Sequence, residues 1–468
     1  MSFRRWLPWS SLAILLACSS LSPVAAQSQD RDFQIAVTQY NAGKFAEAAE
    51  RLQKLERQMP QSFEVQELLG LSYTALSQDE QATGHLQKAV HLKPGLAAAR
   101  TSLATNLVRL GRLPAAEIEF KKAVALAPRA FETNHNLGEF YIRAEKVAQA
   151  VPYLQVAQRI NPAAYDNGYD LALALLQTGQ TKQAGTLIRS LLKQRDTAEL
   201  HNLLGQIEER EGNSVAAANE FEAAAHREPS ESNLFDWGSE LLLHRTLEPA
   251  IAVFQEASKR YPDSARLTIG LGVALYSHGN YDEAVQSLLR GADLNPRDAR
   301  CYYFLSRAYD SSPAQAEEVI QRFRRFTELE PANGRALYYY AMSVWKGRRA
   351  QDPDLDLSQI ESLLKKAVAL DSQIAEAHLQ LGNLYFDQTK YADAIPEYER
   401  ARQLNPDLAD AYYRLGQAYV RTGSKERGQE LLEAYQKIRQ QHLADLDKQR
   451  ADIRQFVYAE KDSPAGKQ

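Results

Sequence analysis

Three prolines stand 34 residues apart, at Pro94, Pro128 and Pro162, and the same skeleton precedes each of them. Leu69-Gly70 with Tyr73, Leu103-Ala104 with Leu107, and Leu137-Gly138 with Tyr141 fill one set of slots. Twelve residues after Gly70, Ala104 and Gly138 come Ala82, Ala116 and Ala150. Then follow a bulky residue (Leu86, Phe120, Leu154), a small one (Ala89, Ala123, Ala157) and the proline. Glycine or alanine lets two helices approach closely where a larger side chain would hold them apart. Proline lacks an N–H and clashes with the preceding turn, so it ends the second helix. A sequence written this way folds as stacked copies of one short unit, each burying its apolar face against the next.

The spacing resembles the tetratricopeptide repeat, a helix–turn–helix unit of about 34 residues. The resemblance implies an all-α fold, a right-handed superhelical solenoid whose first helices line a concave face. Projecting the slots outward predicts about twelve units over residues 29–442. The first is Gln29–Ser62, with Ala36, Ala48, Leu52 and Pro60. The fifth starts near Tyr165, lacks the closing proline and is one residue short. The sixth to eighth are regular, with Leu204-Gly205, Trp237-Gly238 and Leu271-Gly272. In the ninth, Ser311-Ser312-Pro313 replaces the usual turn, and the tenth carries an insertion around Lys346–Leu357. The eleventh, with Leu381-Gly382, Tyr398 and Pro406, is regular again, and the twelfth has Gly428 in the alanine slot. Gly43, Gly111, Gly179, Gly212, Gly279 and Gly423 fall between the two helices of their units, where φ > 0 is often needed. The last helix is expected to run from Arg427 to about Tyr458, with residues 443–458 as a C-terminal cap and 459–468 as a disordered tail.

The N-terminus reads as an export signal over residues 1–26. Arg4 and Arg5 precede a mostly apolar run from Leu7 to Ala17, and Val24-Ala25-Ala26 offers a small-residue cleavage site before Gln27. The run is too short and broken to span a bilayer well. A second reading uses Leu15-Leu16-Ala17-Cys18, which resembles a bacterial lipoprotein signal and would make Cys18 a lipid anchor. Cleavage after Ala26 leaves Cys301 as the one cysteine, with no intramolecular disulfide and no cysteine-based metal cluster. The net charge of −4 and pI near 6.2 argue against a general nucleic-acid binder.

A search for chemistry yields no P-loop, no His-Glu-x-x-His helix and no complete dinucleotide motif: Gly270-Leu271-Gly272 lacks a third glycine and a preceding strand. His135 with Glu132 and Glu139 shares one helix face, and the simplest reading is a set of solvated side chains. Asp352, Asp354 and Asp356 alternate like the start of a calcium loop, but Leu357 and Leu363 stand where its glycine and glutamate belong. No catalytic residue, metal or cofactor is therefore expected.

The informative side chains are the polar and aromatic ones interleaved with the packing slots of the first helices. Around units four to six they are largely acidic: Glu132, His135, Glu139, Asp166, Glu199, Asn202 and Glu209. Around units eight to ten they mix arginine with aromatics: Arg266, Tyr276, Arg300, Tyr303, Arg307, Arg335, Tyr338 and Trp345. Arginine and aromatic residues are enriched in interface hot spots, and arginine grips carboxylates. This second set is the expected partner-binding patch, for an acidic protein or peptide; the competing reading is packing between helices and pairing with nearby acids. The carboxylate clamp of the family's chaperone-binding members is not matched, because the opening helices carry Phe33, Val37, Glu67 and Leu71. The function expected is a non-enzymatic, exported interaction scaffold, periplasmic or secreted, with a peptide or partner helix in its groove. The alternative is a lipid-anchored structural component of a cell-envelope assembly. Sugar-transfer chemistry, as in repeat-bearing glycosyltransferases, would need a catalytic domain that residues 1–28 and 443–468 are too few to supply.

Overall fold

The computed structural model describes residues 23–312, 315–349 and 357–440, with 451, 453–455 and 457 near the C-terminus. These residues form helices and no strand. The chain divides into two bodies, the first ending at Asn213 and the second starting at Ser214. The first holds α1 (Pro23–Asn41), α2 (Phe45–Gln58), α3 (Phe63–Ala75), α4 (Asp79–Leu92), α5 (Ala97–Arg109), α6 (Leu113–Leu126), α7 (Phe131–Arg143), α8 (Val147–Ile160), α9 (Tyr165–Gln177), α10 (Thr181–Leu192) and α11 (Ala198–Arg210). The second holds α12 (Ser214–Arg227), α13 (Glu231–Leu243), α14 (Leu247–Arg260), α15 (Ala265–His278), α16 (Tyr281–Leu294), α17 (Ala299–Ser311), α18 (Ala316–Leu329), α19 (Gly334–Arg349), α20 (Ser358–Leu370), α21 (Ala375–Asp387), α22 (Tyr391–Leu404), α23 (Ala409–Arg421) and α24 (Lys425–Gln440). Within each body, successive helices pack on one another, the arrangement expected of an α-solenoid.

The slots explain the pairing. Gly70 lies against Leu86, Gly138 against Leu154, Gly272 against Leu288 and Gly382 against Tyr398, so tightly that an added Cβ would come within 2.7 Å of each partner side chain. Phe254 fills the space at both Gly238 and Gly270. Several first helices open on a side-chain cap: the oxygens of Ser62, Thr197, Ser230 and Ser264 accept from the backbone N–H three residues on. The turn within a pair closes on a left-handed residue. At Gly279, with φ of 98°, the N–H of Asn280 donates to the Leu275 carbonyl at 3.0 Å. Ser77, Glu145, Arg245 and Thr389 hold the same conformation without being glycine.

The irregular units also follow their sequence. Helix α10 has only 12 residues, in the unit that is one residue short. Helix α19 has 16 residues and takes up Lys346–Arg349, so the start of the expected insertion is helical. Lys346 there pairs with Asp310. Residues 350–356 of the insertion, including Asp352, Asp354 and Asp356, lie outside the described residues, as do Pro313, Cys18 and the expected tail. Helix α1 begins at Pro23 and so includes Val24-Ala25-Ala26. No helix among the described residues is long and apolar enough to cross a membrane.

The expected C-terminal cap, 443–458, is described only at residues 451, 453–455 and 457. Ile453 and Val457, 3% and 0% exposed, do not join the core of the last pair. They join the cluster whose other members lie between Ala225 and Tyr339. In α24 Gly428 is the one residue described as buried.

Candidate functional site

Four positions of a first helix lie on one face, six and three residues before the slot glycine and one and four after it. In α7 they are Glu132, His135, Glu139 and Ile142, the first exposed and the other three half-buried. In α11 they are Glu199, Asn202, Gln206 and Glu209. On α7 and α11 this face is mainly polar and acidic. His135 stacks on Phe131 at 5.3 Å and its Nδ1 meets Asn167 at 3.1 Å, which uses the ring for packing and hydrogen bonding. Asp170, beside this face, is half-buried. Burial first, and then the neighbouring Glu139 carboxylate, push its carboxyl up to about 6.

The second body differs. In α15 the four positions are Arg266, Ile269, Val273 and Tyr276, exposed by 7%, 0%, 0% and 9%. In α13 Phe235, Ser239 and Leu242 are fully buried at the corresponding positions. In α23 of the same body, Asp410, Tyr413 and Val420 are open, Tyr413 by 38% and Val420 by 40%, and Gln417 is half-buried. Sequence reasoning missed Phe235, Leu242, Ile269 and Val273. The signal was present: aliphatic and aromatic residues stand where α11 carries Asn202, Gln206 and Glu209.

The eight expected binding residues separate into three groups. Arg266, Tyr276 and Trp345 are interior, which removes them from an accessible patch. Arg266 lies over the Phe235 ring at 4.5 Å, with Nε 3.6 Å from Glu231. Tyr276 packs edge-on against Phe304 at 6.1 Å. Arg300 grips buried Asp298, its Nε at 3.0 Å and its second guanidinium nitrogen at 2.8 Å, and Asp298 also caps α17 through the Arg300 N–H. Arg300 therefore helps to close a helix start. Tyr303, Arg307, Arg335 and Tyr338 remain on α17 and α19, which touch. Arg307 and Arg335 are exposed and reach the hydroxyls of Tyr276 and Tyr339. Tyr303 and Tyr338 are half-buried against Phe304 at 5.1 Å and Tyr339 at 5.6 Å. Burial raises the Tyr338 phenol well above its ordinary value, so it stays a neutral hydrogen-bonding group. Beside them a pocket of about 200 Å³ is lined by Met342, Trp345, Gln380, Asn383 and Arg414, among others.

Cys301 is fully buried, its thiol donating to the Leu288 carbonyl at 3.2 Å, and burial pushes its pKa far up. It behaves as a small core residue. Among the described residues no group of three or more His, Cys, Asp or Glu is placed to hold a metal ion.

Comparison with known proteins follows this geometry. Human Protein O-mannosyl-transferase TMTC1 is 26% identical over 160 residues, 34% of this chain and 18% of that protein. Mouse Protein O-mannosyl-transferase TMTC3 is 25% identical over 198 residues, 40% of this chain and 20% of that protein. The chain thus matches about a fifth of the length of these curated relatives. Among solved structures, YrrB, described as a TPR protein with an unusual peptide-binding site, superposes with a TM-score of 0.37 at 19% identity, over 39% of this chain and 94% of that one. Naa15/Naa10 bound to HypK-THB gives 0.39 at 16% identity, over 87% and 68%. Profiles described as tetratricopeptide repeat match residues 33–97, 101–165 and 235–299, then 141–207 and 409–442, and one described as TPR repeat matches 382–423. Together they span more than half of the sequence and fall on the helix pairs found in both bodies, so this chain belongs to the tetratricopeptide repeat family.

Proposed function

We propose that the chain is a non-enzymatic, exported scaffold that holds a peptide or partner helix on the first-helix face of its second body. The observation that carries this reading is the juxtaposition on α17 and α19. Two exposed arginines, Arg307 and Arg335, flank the half-buried rings of Tyr303 and Tyr338. Such a surface suits an amphipathic segment whose acidic groups meet the arginines and whose apolar side meets the two tyrosine rings. Helices packed on both neighbours present these groups with little ordering needed on the receptor side.

The test is quantitative capture of partners from the native envelope fraction, comparing the wild-type chain with Arg307→Ala/Arg335→Ala. Arg300 is left intact because its loss would strand buried Asp298. A charge-assisted hydrogen bond contributes about 1.5–3 kcal/mol, so losing two should weaken capture by at least about a hundredfold. An unchanged captured set would remove the arginines from the site. Export enters the proposal through the leader sequence, and mass spectrometry of the mature N-terminus separates its two readings: Gln27 for cleavage, a lipidated Cys18 for the envelope-anchored form.

A further inference from the structure

We propose that the pocket between α19, α21 and α23 receives an acidic side chain of the partner, with Arg414 as its counter-ion. The proposal rests on the reading that a partner lies on the first-helix face of the second body, and it names one contact made there. Met342 and Trp345 come from α19, Gln380 and Asn383 from α21 and Arg414 from α23, and they help to bound about 200 Å³. That is room for a side chain rather than for a single water.

Arg414 decides the charge of the occupant. It is half-buried, and among the described residues its guanidinium has no hydrogen bond and no ion pair; it lies 5.8 Å from the Phe386 ring. Arginines elsewhere in the body are engaged. Arg266 stands 3.6 Å from Glu231, Arg300 grips Asp298, and Arg307 and Arg335 reach tyrosine hydroxyls. A guanidinium carries five N–H donors and no acceptor, and a carboxylate takes two of them at once. The lining does not supply that carboxylate. Asp387, the one acid in it, is exposed and does not pair with Arg414, and Lys346 is already paired with Asp310.

The amides of α21 add a second donor. The hydroxyl of buried Tyr398 donates to Asn383 Oδ1 at 2.9 Å, and Asn383 Nδ2 donates to Gln380 Oε1 at 3.0 Å. This chain of bonds orients both amides and leaves Gln380 Nε2 with its hydrogens to give. Donors from Arg414 and Gln380 thus stand beside the Met342 thioether and the Trp345 indole. The arrangement fits a glutamate or aspartate whose methylene part rests on the two apolar side chains.

The probe is a pentapeptide with both ends blocked, acetyl-Leu-Ala-Glu-Ala-Leu-amide, titrated to millimolar concentration against the full-length chain grown with fluorotryptophan. Trp345 lines the pocket, so its fluorine resonance, assigned by its loss in Trp345→Phe, reports occupancy there. The peptide should move that resonance saturably, and its glutamine counterpart should bind at least about tenfold more weakly. Arg414→Gln should abolish the difference between the two peptides. Gln380→Glu, which adds a carboxylate to the same pocket, should abolish it with the arginine retained. An unchanged Trp237 resonance checks that each variant keeps its fold. An unmoved Trp345 resonance, an equal response to both peptides in wild type, or a difference that persists in both variants would overturn the proposal. A Trp345 response with unchanged partner capture by Arg307→Ala/Arg335→Ala would keep the pocket and discard the arginine pair. Lost capture in that variant with no Trp345 response in wild type would keep the pair and discard the pocket.

Discussion

Replacing Gly138 by alanine adds one methyl group where α7 meets α8, and the structure indicates what that methyl would strike. A Cβ built there stands 2.5 Å from Leu154 Cδ2, 2.6 Å from its Cγ and 3.4 Å from its backbone nitrogen. Carbon atoms in comfortable contact sit about 3.5–4.0 Å apart, so the overlap is about 1 Å. Leu154 is fully buried and its branch carbon is involved, so the clash is not relieved by turning a free end. Overpacking of this kind costs about 1–3 kcal/mol. Alanine's better helix propensity offsets about 1 kcal/mol of it. A net loss of up to about 2 kcal/mol is expected. In a Leu154→Ala background, which itself costs about 2–5 kcal/mol, the same methyl enters vacated space and should stabilise by about 1 kcal/mol. The sign of Gly138→Ala therefore reverses with its partner. A repeat array need not unfold in one step, so the readout should be local: hydrogen exchange of peptides from α7 and α8, where about 1.4 kcal/mol is tenfold in opening. If Gly138→Ala has the same sign and size in both backgrounds, the two residues are not in contact and the register is wrong.

Two further changes probe other features. Asp170 has its carboxyl raised to about 6 from 3.8, so the unfolded chain loses that proton first and stability falls as pH rises between about 4 and 6. Because the group is half-buried, the loss is roughly 1–2 kcal/mol, smaller than the full shift would give. Asp170→Asn should match wild type in urea midpoint at pH 3.5 and exceed it at pH 7.5, and a gap that ignores pH would contradict the assignment. Thr389 holds a φ of 62° between α21 and α22, an uncommon conformation for a β-branched residue. Thr389→Gly should stabilise the turn by about 0.5–1 kcal/mol, read as slower exchange in α21 and α22, and faster exchange there would refute the strain.

Nearly all of the helix pairing was legible because it depends on contacts between residues a fixed distance apart in sequence. Gly70 with Leu86 and Gly272 with Leu288 repeat one local arrangement, and repetition makes a weak pattern strong. The turn glycines were legible for the same reason, while Ser77 and Glu145 were not, since their left-handed backbone is imposed by the helices on either side. The candidate site was only partly legible. Arg307 and Arg335 stand out on α17 and α19 as expected. Arg300 looks identical in sequence, yet its guanidinium is committed to Asp298 two residues earlier. Arg266 and Tyr276 occupy the same helix positions as open residues elsewhere, and nothing local says that they are covered. Their burial depends on long-range packing, and the same packing places Ile453 and Val457 with residues more than a hundred positions earlier. A nearest-neighbour array has few contacts of that kind, so a pattern read unit by unit cannot reveal them. The one hint was chemical: Phe235, Leu242, Ile269 and Val273 are aliphatic or aromatic at positions that α11 fills with Asn202, Gln206 and Glu209, and side chains of that kind pack inward, as Ile269 does against Gly291 and Phe235 against Phe254.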